Sequence, residues 1–369
     1  MKRLSLLIKP ASSLCNMRCR YCFYADISSS RIVPSYGIMD AETRARIIDN
    51  VFKDLEDGDE VTFAFQGGEP TLAGLPYFEK FVEHIAAQKR KVIIHYAFQT
   101  NGLLIDDEWA SFFHKNNFLL GLSLDGGERF HDRNRLDAKG EGTWNRILQS
   151  KKILEAHQAE YNILTVLTNE TANEPDKVWR FIQNEKIAYI QFIPCLEDLE
   201  GQDDSKNALR PARFAHFYSR LFYWWSKELE QGRYISVKFF DDIVNYFFKG
   251  IPTACGINGQ CSAQYVVEAD GSVYPCDFYV LDKYNLGNLA DLTLREIFET
   301  EKMHSFLSEK PETPPICGGC KYFKLCRGGC KRMRNVQYYG EAGVVCGNKI
   351  FLDKCLEPLE HTVKRYFSR

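Results

Sequence analysis

The chain of 369 residues has almost no net charge: 47 Lys and Arg against 49 Asp and Glu leave −2. That balance supplies no field to gather nucleic acid or an anionic membrane surface. No apolar run approaches the length of a membrane span. The amino-terminal "MKRLSLLIKPASS" is broken by Lys9 and Pro10 too early for a signal-peptide core, and reads as a first strand. A cytoplasmic location is expected, where thiols are kept reduced, so the 13 cysteines are not a disulfide framework. One cysteine is conspicuously missing. Cys15, Cys19 and Cys22 stand in C-x3-C-x2-C spacing within "SSLCNMRCRYCFYAD", and the next cysteine is Cys195. Protein-held metal clusters usually take four thiolates. A metal site that does chemistry withholds one protein ligand so that another molecule can bind there. A partial zinc site completed by a distant histidine is the alternative.

What is present is an ordinary globular composition, 45% hydrophobic and 26% charged, in a chain long enough for two domains or one enlarged barrel. The 26 Phe and 19 Tyr fill cores for the most part and are numerous enough to line clefts. Apolar strand patterns at 5–10, 61–67, 93–100, 118–125, 161–168 and 187–195 alternate with helical patterns at 40–56, 75–89, 106–116, 143–158 and 174–186. A sixth helix is expected over 213–232. Alternation of this kind predicts βα units with a parallel sheet, and six units, two short of a closed eight-fold barrel, predict a partial (β/α)6 barrel. Functional groups gather at the carboxyl ends of such strands. Those ends read "SSLCNMRC", "QGGEP", "QTNG", "SLDGG" and "PCLE", polar and Gly-rich in succession, and predict one shared site.

After residue 232 the rhythm breaks. An Ala-Asp-Gly turn within 264–281 predicts a hairpin, and the rest is rich in Gly and Cys. The expected domains are 1–232 and 233–369. Cys255, Cys261 and Cys276 flank the hairpin; "CGGCKYFKLCRGGC" adds Cys317, Cys320, Cys326 and Cys330, and Cys346 follows. Eight cysteines make two sets of four. Structural zinc is the plain alternative for paired C-x2-C sites, while the neighbouring glycines suit iron–sulfur clusters, whose sulfides backbone N–H groups approach closely. Cys195 and Cys355 lack such partners and read as buried thiols. The spacer between Cys330 and Cys346 reads as a loop.

"CNMRCRYC" followed by Phe23 resembles the signature of the radical S-adenosylmethionine (SAM) enzymes, and "GGEP" at 67–70 resembles their segment that contacts the cofactor's amino group. The later cysteines resemble a SPASM extension with two auxiliary [4Fe–4S] clusters, its G-x4-C element running from Gly271 to Cys276. "LIKPASSLCNMRCRYCFYAD", "SYGIM", "FAFQGGEPTLAG", "GLSLDG" and "DGSVYPCDFYVLDK" look specifically like the anaerobic sulfatase-maturating enzymes. Together the motifs span nearly the whole chain.

The resemblance implies S-adenosylmethionine and three [4Fe–4S] clusters as cofactors. The cluster on Cys15, Cys19 and Cys22 would leave one iron for S-adenosylmethionine, which answers for the missing ligand. The 5′-deoxyadenosyl radical would remove a β-hydrogen from the Cys or Ser of a C/S-x-P/A-x-R sulfatase motif, ending at Cα-formylglycine. The resemblance places Tyr21, Gly68, Ser123, Arg135 and Leu196 at the cofactor and makes Asp277 the general base. It divides the auxiliary ligands into Cys255, Cys261, Cys276 and Cys330, nearer the substrate, and Cys317, Cys320, Cys326 and Cys346, outside. Fully ligated, these clusters would accept electrons rather than bind substrate. The implied partners are an unfolded or nascent sulfatase polypeptide and an electron donor of flavodoxin or ferredoxin type, with a monomeric enzyme. Two rivals remain: a SPASM maturase forming thioether crosslinks, expected to carry an amino-terminal leader-binding module for which this chain leaves no room, and a non-enzymatic iron–sulfur or zinc protein.

Overall fold

A computed structural model describes residues 2–199, 206–339 and 344–367. Nine strands occur among them: β1 (Arg3–Ile8), β2 (Glu60–Phe65), β3 (Ile93–Thr100), β4 (Phe118–Ser123), β5 (Tyr161–Leu167), β6 (Tyr189–Pro194), β7 (Ser236–Val237), β8 (Val266–Val267) and β9 (Val273–Tyr274). The first six answer the six expected strands. The expected helices are present as Ala41–Lys53, Leu75–Ala86, Asp107–Lys115, Trp144–Ala156, Pro175–Asn184 and Pro211–Glu230. Local chemistry sets their starts. Asp40 and Asp106 accept from the third amide into the helix, and prolines open the helices at Pro175 and Pro211, where no N–H is needed.

The chain folds into two compact units with interleaved segments: 1–123, 135–161 and 262–309 in one, 124–134, 162–261 and 310–369 in the other. In the first unit β1, β2, β3 and β4 pair in parallel in that order, Leu6 opposite Phe63 and Phe63 opposite Tyr96. On the far side of β1, β8 pairs in parallel and β9 returns antiparallel, so the hairpin is real but only two residues long on each side. The core is strongly aromatic: Phe63, Phe65, Phe78, Phe81, Phe98, Phe113 and Phe118 are essentially inaccessible and pack mostly edge to face. Burial on both faces is what a parallel sheet between helices requires.

In the second unit β5, β6 and β7 pair in parallel, and the 20-residue helix Pro211–Glu230 packs on the 21-residue helix Gly347–Phe367. A Cβ on Gly347 would lie 2.3 Å from the Pro211 carbonyl oxygen, so only glycine permits this approach. Phe239, Phe240, Tyr218 and Phe351 fill the seam. Sequence reading missed the last helix, which carries Pro358 inside it; such a proline argues against a helix unless tertiary packing overrides it. Among the described residues no helix is long and apolar enough to cross a membrane.

Candidate active site and cluster sites

The first unit gathers the carboxyl ends of β1, β2 and β3 around the loop of three cysteines. After β1 the chain turns through Lys9–Leu14, with Ser12 N–H donating to Lys9 O at 3.1 Å. The loop after β2 clamps that turn: Gly68 N–H donates to Ser12 O at 2.8 Å and Glu69 N–H to Leu14 O at 2.7 Å. A Cβ on Gly68 would sit 2.0 Å from Leu14 O, so a side chain is impossible without moving the cysteine loop. Glu69, buried, accepts from Thr71 and Thr100 hydroxyls at 2.7 and 2.8 Å and from Asn101 N–H at 2.7 Å. Burial pushes its carboxyl above the ordinary range, and those donors oppose the rise. Asn101 in turn donates to Asn16 Oδ1 at 2.7 Å and rests 3.8 Å from Cys15 Sγ. These polar strand ends, singled out in the sequence as short Gly-rich loops, act together as a frame for the thiols.

Cys15 and Cys19 are partly buried and Cys22 is exposed. Burial pushes the Cys15 thiol up to about 11, the Met17 amide opposing and Glu69 and Cys22 adding. Three soft thiols in one loop, with negative charge on Cys15 unwelcome where it stands, fit an iron–sulfur cluster, which supplies the positive charge itself. Nearby, the buried Arg135 guanidinium lies 5.6 Å from the Tyr21 ring centroid. That brings together two of the expected cofactor residues, and a guanidinium there suits a carboxylate. Ser123, buried, ends β4, and Leu196, half-buried, follows β6 in the second unit.

Asp277 opens a short 3-10 turn directly after Cys276. Lys9, fully buried, places Nζ 2.6 Å from Asp277 Oδ1. Neither atom meets hydrogen-bond geometry, so the contact is an ion pair. Gln66 donates to the other oxygen at 3.0 Å, and Asp277 N–H donates to Gln264 Oε1 at 3.1 Å. Lys9 also stands 3.8 Å over the Tyr24 ring. Tyr24 donates its hydroxyl to Glu268, which forms a fully buried ion pair with Arg31 at 2.6 Å. Sequence reading missed Lys9, Gln66, Tyr24, Arg31 and Glu268. Lys9 and Gln66 follow β1 and β2 at once, the position from which such side chains enter a site.

In the second unit Cys317, Cys320, Cys326 and Cys346 line one small cavity with Tyr338 and Tyr339. Cys317 Sγ lies 3.2 Å from the Tyr339 hydroxyl. Burial raises the Cys326 thiol, with Cys320 and Cys317 adding; it pushes Cys346 up to about 11, with Cys326 and Cys317 adding. Cys255 is likewise pushed up to about 11 by burial and then by Cys330 and Cys261. Seven of the thiols of this unit thus fall into four and three, with Cys330 leaving its local run. Among the described residues no three His, Cys, Asp or Glu side chains converge closely enough to share one metal ion; a cluster takes its thiolates on separate irons and does not ask that of them. Cys195 and Cys355 are buried, 3% and 2% exposed. Part of the Cys330–Cys346 spacer, 340–343, lies outside the described residues.

Residues 10–182 match the radical SAM superfamily and 255–321 the iron–sulfur cluster-binding SPASM domain. Fold and thiol sites together therefore define the class, a radical SAM enzyme of α/β fold, a partial (β/α)6 barrel with a SPASM extension. The cysteine-type anaerobic sulfatase-maturating enzyme of Clostridium novyi (strain NT) is 39% identical over 369 residues, covering 99% of this chain and 98% of that one. The serine-type enzyme of Bacteroides thetaiotaomicron is 29% identical, covering 90% and 84%. The solved structure of native anSMEcpe with bound AdoMet and Cp18Cys peptide superposes with a TM-score of 0.89 at 39% identity, covering 98% and 99%. The chain belongs to the anaerobic sulfatase-maturating enzymes.

Proposed function

We propose that this sulfatase-maturating enzyme oxidises a cysteine, or more slowly a serine, in a C/S-x-P/A-x-R segment of a sulfatase to Cα-formylglycine. The observation that carries the reading is Asp277, held by Lys9 and Gln66 at the strand ends that also frame the three-cysteine loop. The cysteine preference follows the cysteine-type relative, more similar than the serine-type one.

Cys15, Cys19 and Cys22 hold the first [4Fe–4S] cluster. Tyr21, Gly68, Ser123, Arg135 and Leu196 hold S-adenosylmethionine. Cys255, Cys261, Cys276 and Cys330 hold one auxiliary cluster, and Cys317, Cys320, Cys326 and Cys346 the other. Bound there, these groups supply one-electron chemistry: a carbon radical able to take hydrogen from the substrate Cβ, and an acceptor for the electron that follows. The protein's part is orientation and proton transfer. Asp277 takes the substrate thiol or hydroxyl proton, and the Lys9 and Gln66 contacts set the direction in which its carboxylate faces. The substrate loses one hydrogen atom, one proton and one electron; the resulting thioaldehyde hydrolyses to the aldehyde and hydrogen sulfide. Residues 1–232 form the radical SAM part and 233–369 the SPASM part. The enzyme works as a cytoplasmic monomer on unfolded or nascent polypeptide, with a flavodoxin- or ferredoxin-type donor. Anaerobic protein reconstituted with iron and sulfide, then given reductant, S-adenosylmethionine and peptides containing C-T-P-S-R or S-T-P-S-R, tests this. Formylglycine by mass spectrometry is expected in both, faster from cysteine. Deoxyadenosine with no formylglycine would move the substrate elsewhere.

A further inference from the structure

The reaction leaves unused a long basic stretch of the chain. Between residues 313 and 340 there are six Lys and Arg and no Asp or Glu, in a protein whose overall charge is −2. Residues of this stretch between Ile316 and Tyr339 line the cavity of Cys317, Cys320, Cys326 and Cys346. Lys321, Lys324 and Arg327 are exposed around it, and Lys349 lines its wall. One carboxylate answers them: Asp353 takes Lys321 at 3.1 Å and also pairs with Lys349. Lys324 has no ion pair among the described residues, and Arg327 reaches only the Asn258 carbonyl at 3.4 Å. The collar therefore keeps an excess of positive charge. Its apolar points are Leu325 and Ile350, 38% and 43% exposed.

Gly318 and Gly319, between the first two thiols, are both exposed. Neither has the positive φ that demands glycine, unlike Gly328 and Gly329 at +86° and +70°. A Cβ on Gly319 would meet nothing within 4 Å. On Gly318 a Cβ would lie 3.3 Å from the Pro315 carbonyl oxygen, a tight approach, so it is at Gly319 that local structure gives no reason for a missing side chain. The effect of the two glycines is to leave bare backbone between the cavity and whatever approaches from outside.

We propose that this basic collar with its Gly318–Gly319 window is the docking surface for a small acidic one-electron carrier protein. It rests on the reading of the four cysteines as ligands of the outer cluster. Transfer across the window moves one electron and no atom: the outer site is oxidised by one electron and the carrier reduced by one. Rate falls steeply with distance, so a window without side chains favours it. Positive charge around a small apolar centre is what a weak, fast electron-transfer encounter uses, steering association and fading with salt.

The test titrates anaerobic holoenzyme with an acidic flavodoxin by calorimetry at low and high salt. It compares wild type with Lys324→Glu/Arg327→Gln, Gly319→Leu and the distant control Lys89→Glu, after iron counting. Affinity is expected to fall with salt, and by about fivefold or more in the double variant, with the control unchanged. Gly319→Leu should bind yet slow the carrier's reduction, while dithionite-driven formylglycine formation stays as in wild type. Equal binding by the double variant and wild type overturns the proposal. So does loss of substrate-peptide affinity in place of flavodoxin affinity, which would give the surface to the peptide. Wild-type iron sufficient for one cluster alone would remove the cluster reading and the proposal with it, an outcome the iron count separates from failure of docking.

Discussion

At the residue scale the site depends on a buried lysine. Lys9 is wholly enclosed, and its charge is answered by Asp277 and by the Tyr24 ring. Breaking a buried pair leaves an ion without compensation. Lys9→Met is therefore expected to lower stability by about 3 kcal/mol and kcat by about tenfold with little change in KM, because the carboxylate keeps Gln66 but loses its direction. Denaturant midpoints and steady-state kinetics read the two effects, and unchanged kcat would show that Lys9 is only structural. Asp277→Asn keeps the shape and removes the base. Formylglycine formation should drop by roughly 10²-fold or more while deoxyadenosine still forms; a parallel loss of both would move Asp277 out of the proton-transfer role. The resemblance carried by "YPCDFY" singled out Asp277, the proposed base, beside Cys276. Its partners were not legible, because Lys9 and Gln66 lie 268 and 211 positions away, and only the pairing of β1 with β2 and β8 brings them together.

At the element scale, two loops and a helix hold the thiols. Gly68→Ala would drive a Cβ into the Leu14 carbonyl. The expected result is loss of one cluster's iron with the auxiliary clusters kept, read by iron analysis and by the cluster's electron paramagnetic signal after reduction. Full iron in this variant would mean the cysteine loop yields easily. Glu268, just after β8, ties the helix Phe23–Ser29 to the hairpin through Tyr24 and stands against Arg31. Burial raises its carboxyl, but Lys9, Arg31 and the Tyr24 hydroxyl outweigh that and hold it below the ordinary value of 4.5. A carboxyl depressed by folding stabilises above its unfolded value and loses that contribution as pH falls through the folded one. The stability gap between wild type and Glu268→Gln should be largest near neutral pH and shrink below about pH 4.5. Urea midpoints of the cluster-free protein at several pH values would show it, and a pH-independent gap would deny the electrostatic role. The helices of the βα units were legible because their apolar periodicity is helical, with an Asp cap or an opening proline marking the start of most of them. The last helix was not, since Pro358 opposes it locally and only packing against Pro211–Glu230 sustains it.

For the whole molecule, each unit has an aromatic core, but the segment around the outer thiols is thinly packed. The first has a thick aromatic core between sheet and helices. Around the outer thiols of the second, the buried cluster among the described residues is Cys317, Tyr338 and Tyr339, with Ile316, Phe323 and Cys346 against it. Metal binding there is folding free energy. Removing iron with a chelator should open 310–346 to proteases well before the sheet of the first unit; equal resistance with and without iron would show that the segment folds unaided. The sequence by itself determined the βα alternation, the parallel class and the thiol inventory, because hydrophobic period and cysteine spacing are local properties. It also located the polar loops at the strand ends, since strand ends follow from strands. Only the tertiary structure decided which buried cation and amide, Lys9 and Gln66, face Asp277. Those are contacts across hundreds of residues, fixed by strand register and packing, and no local pattern encodes them.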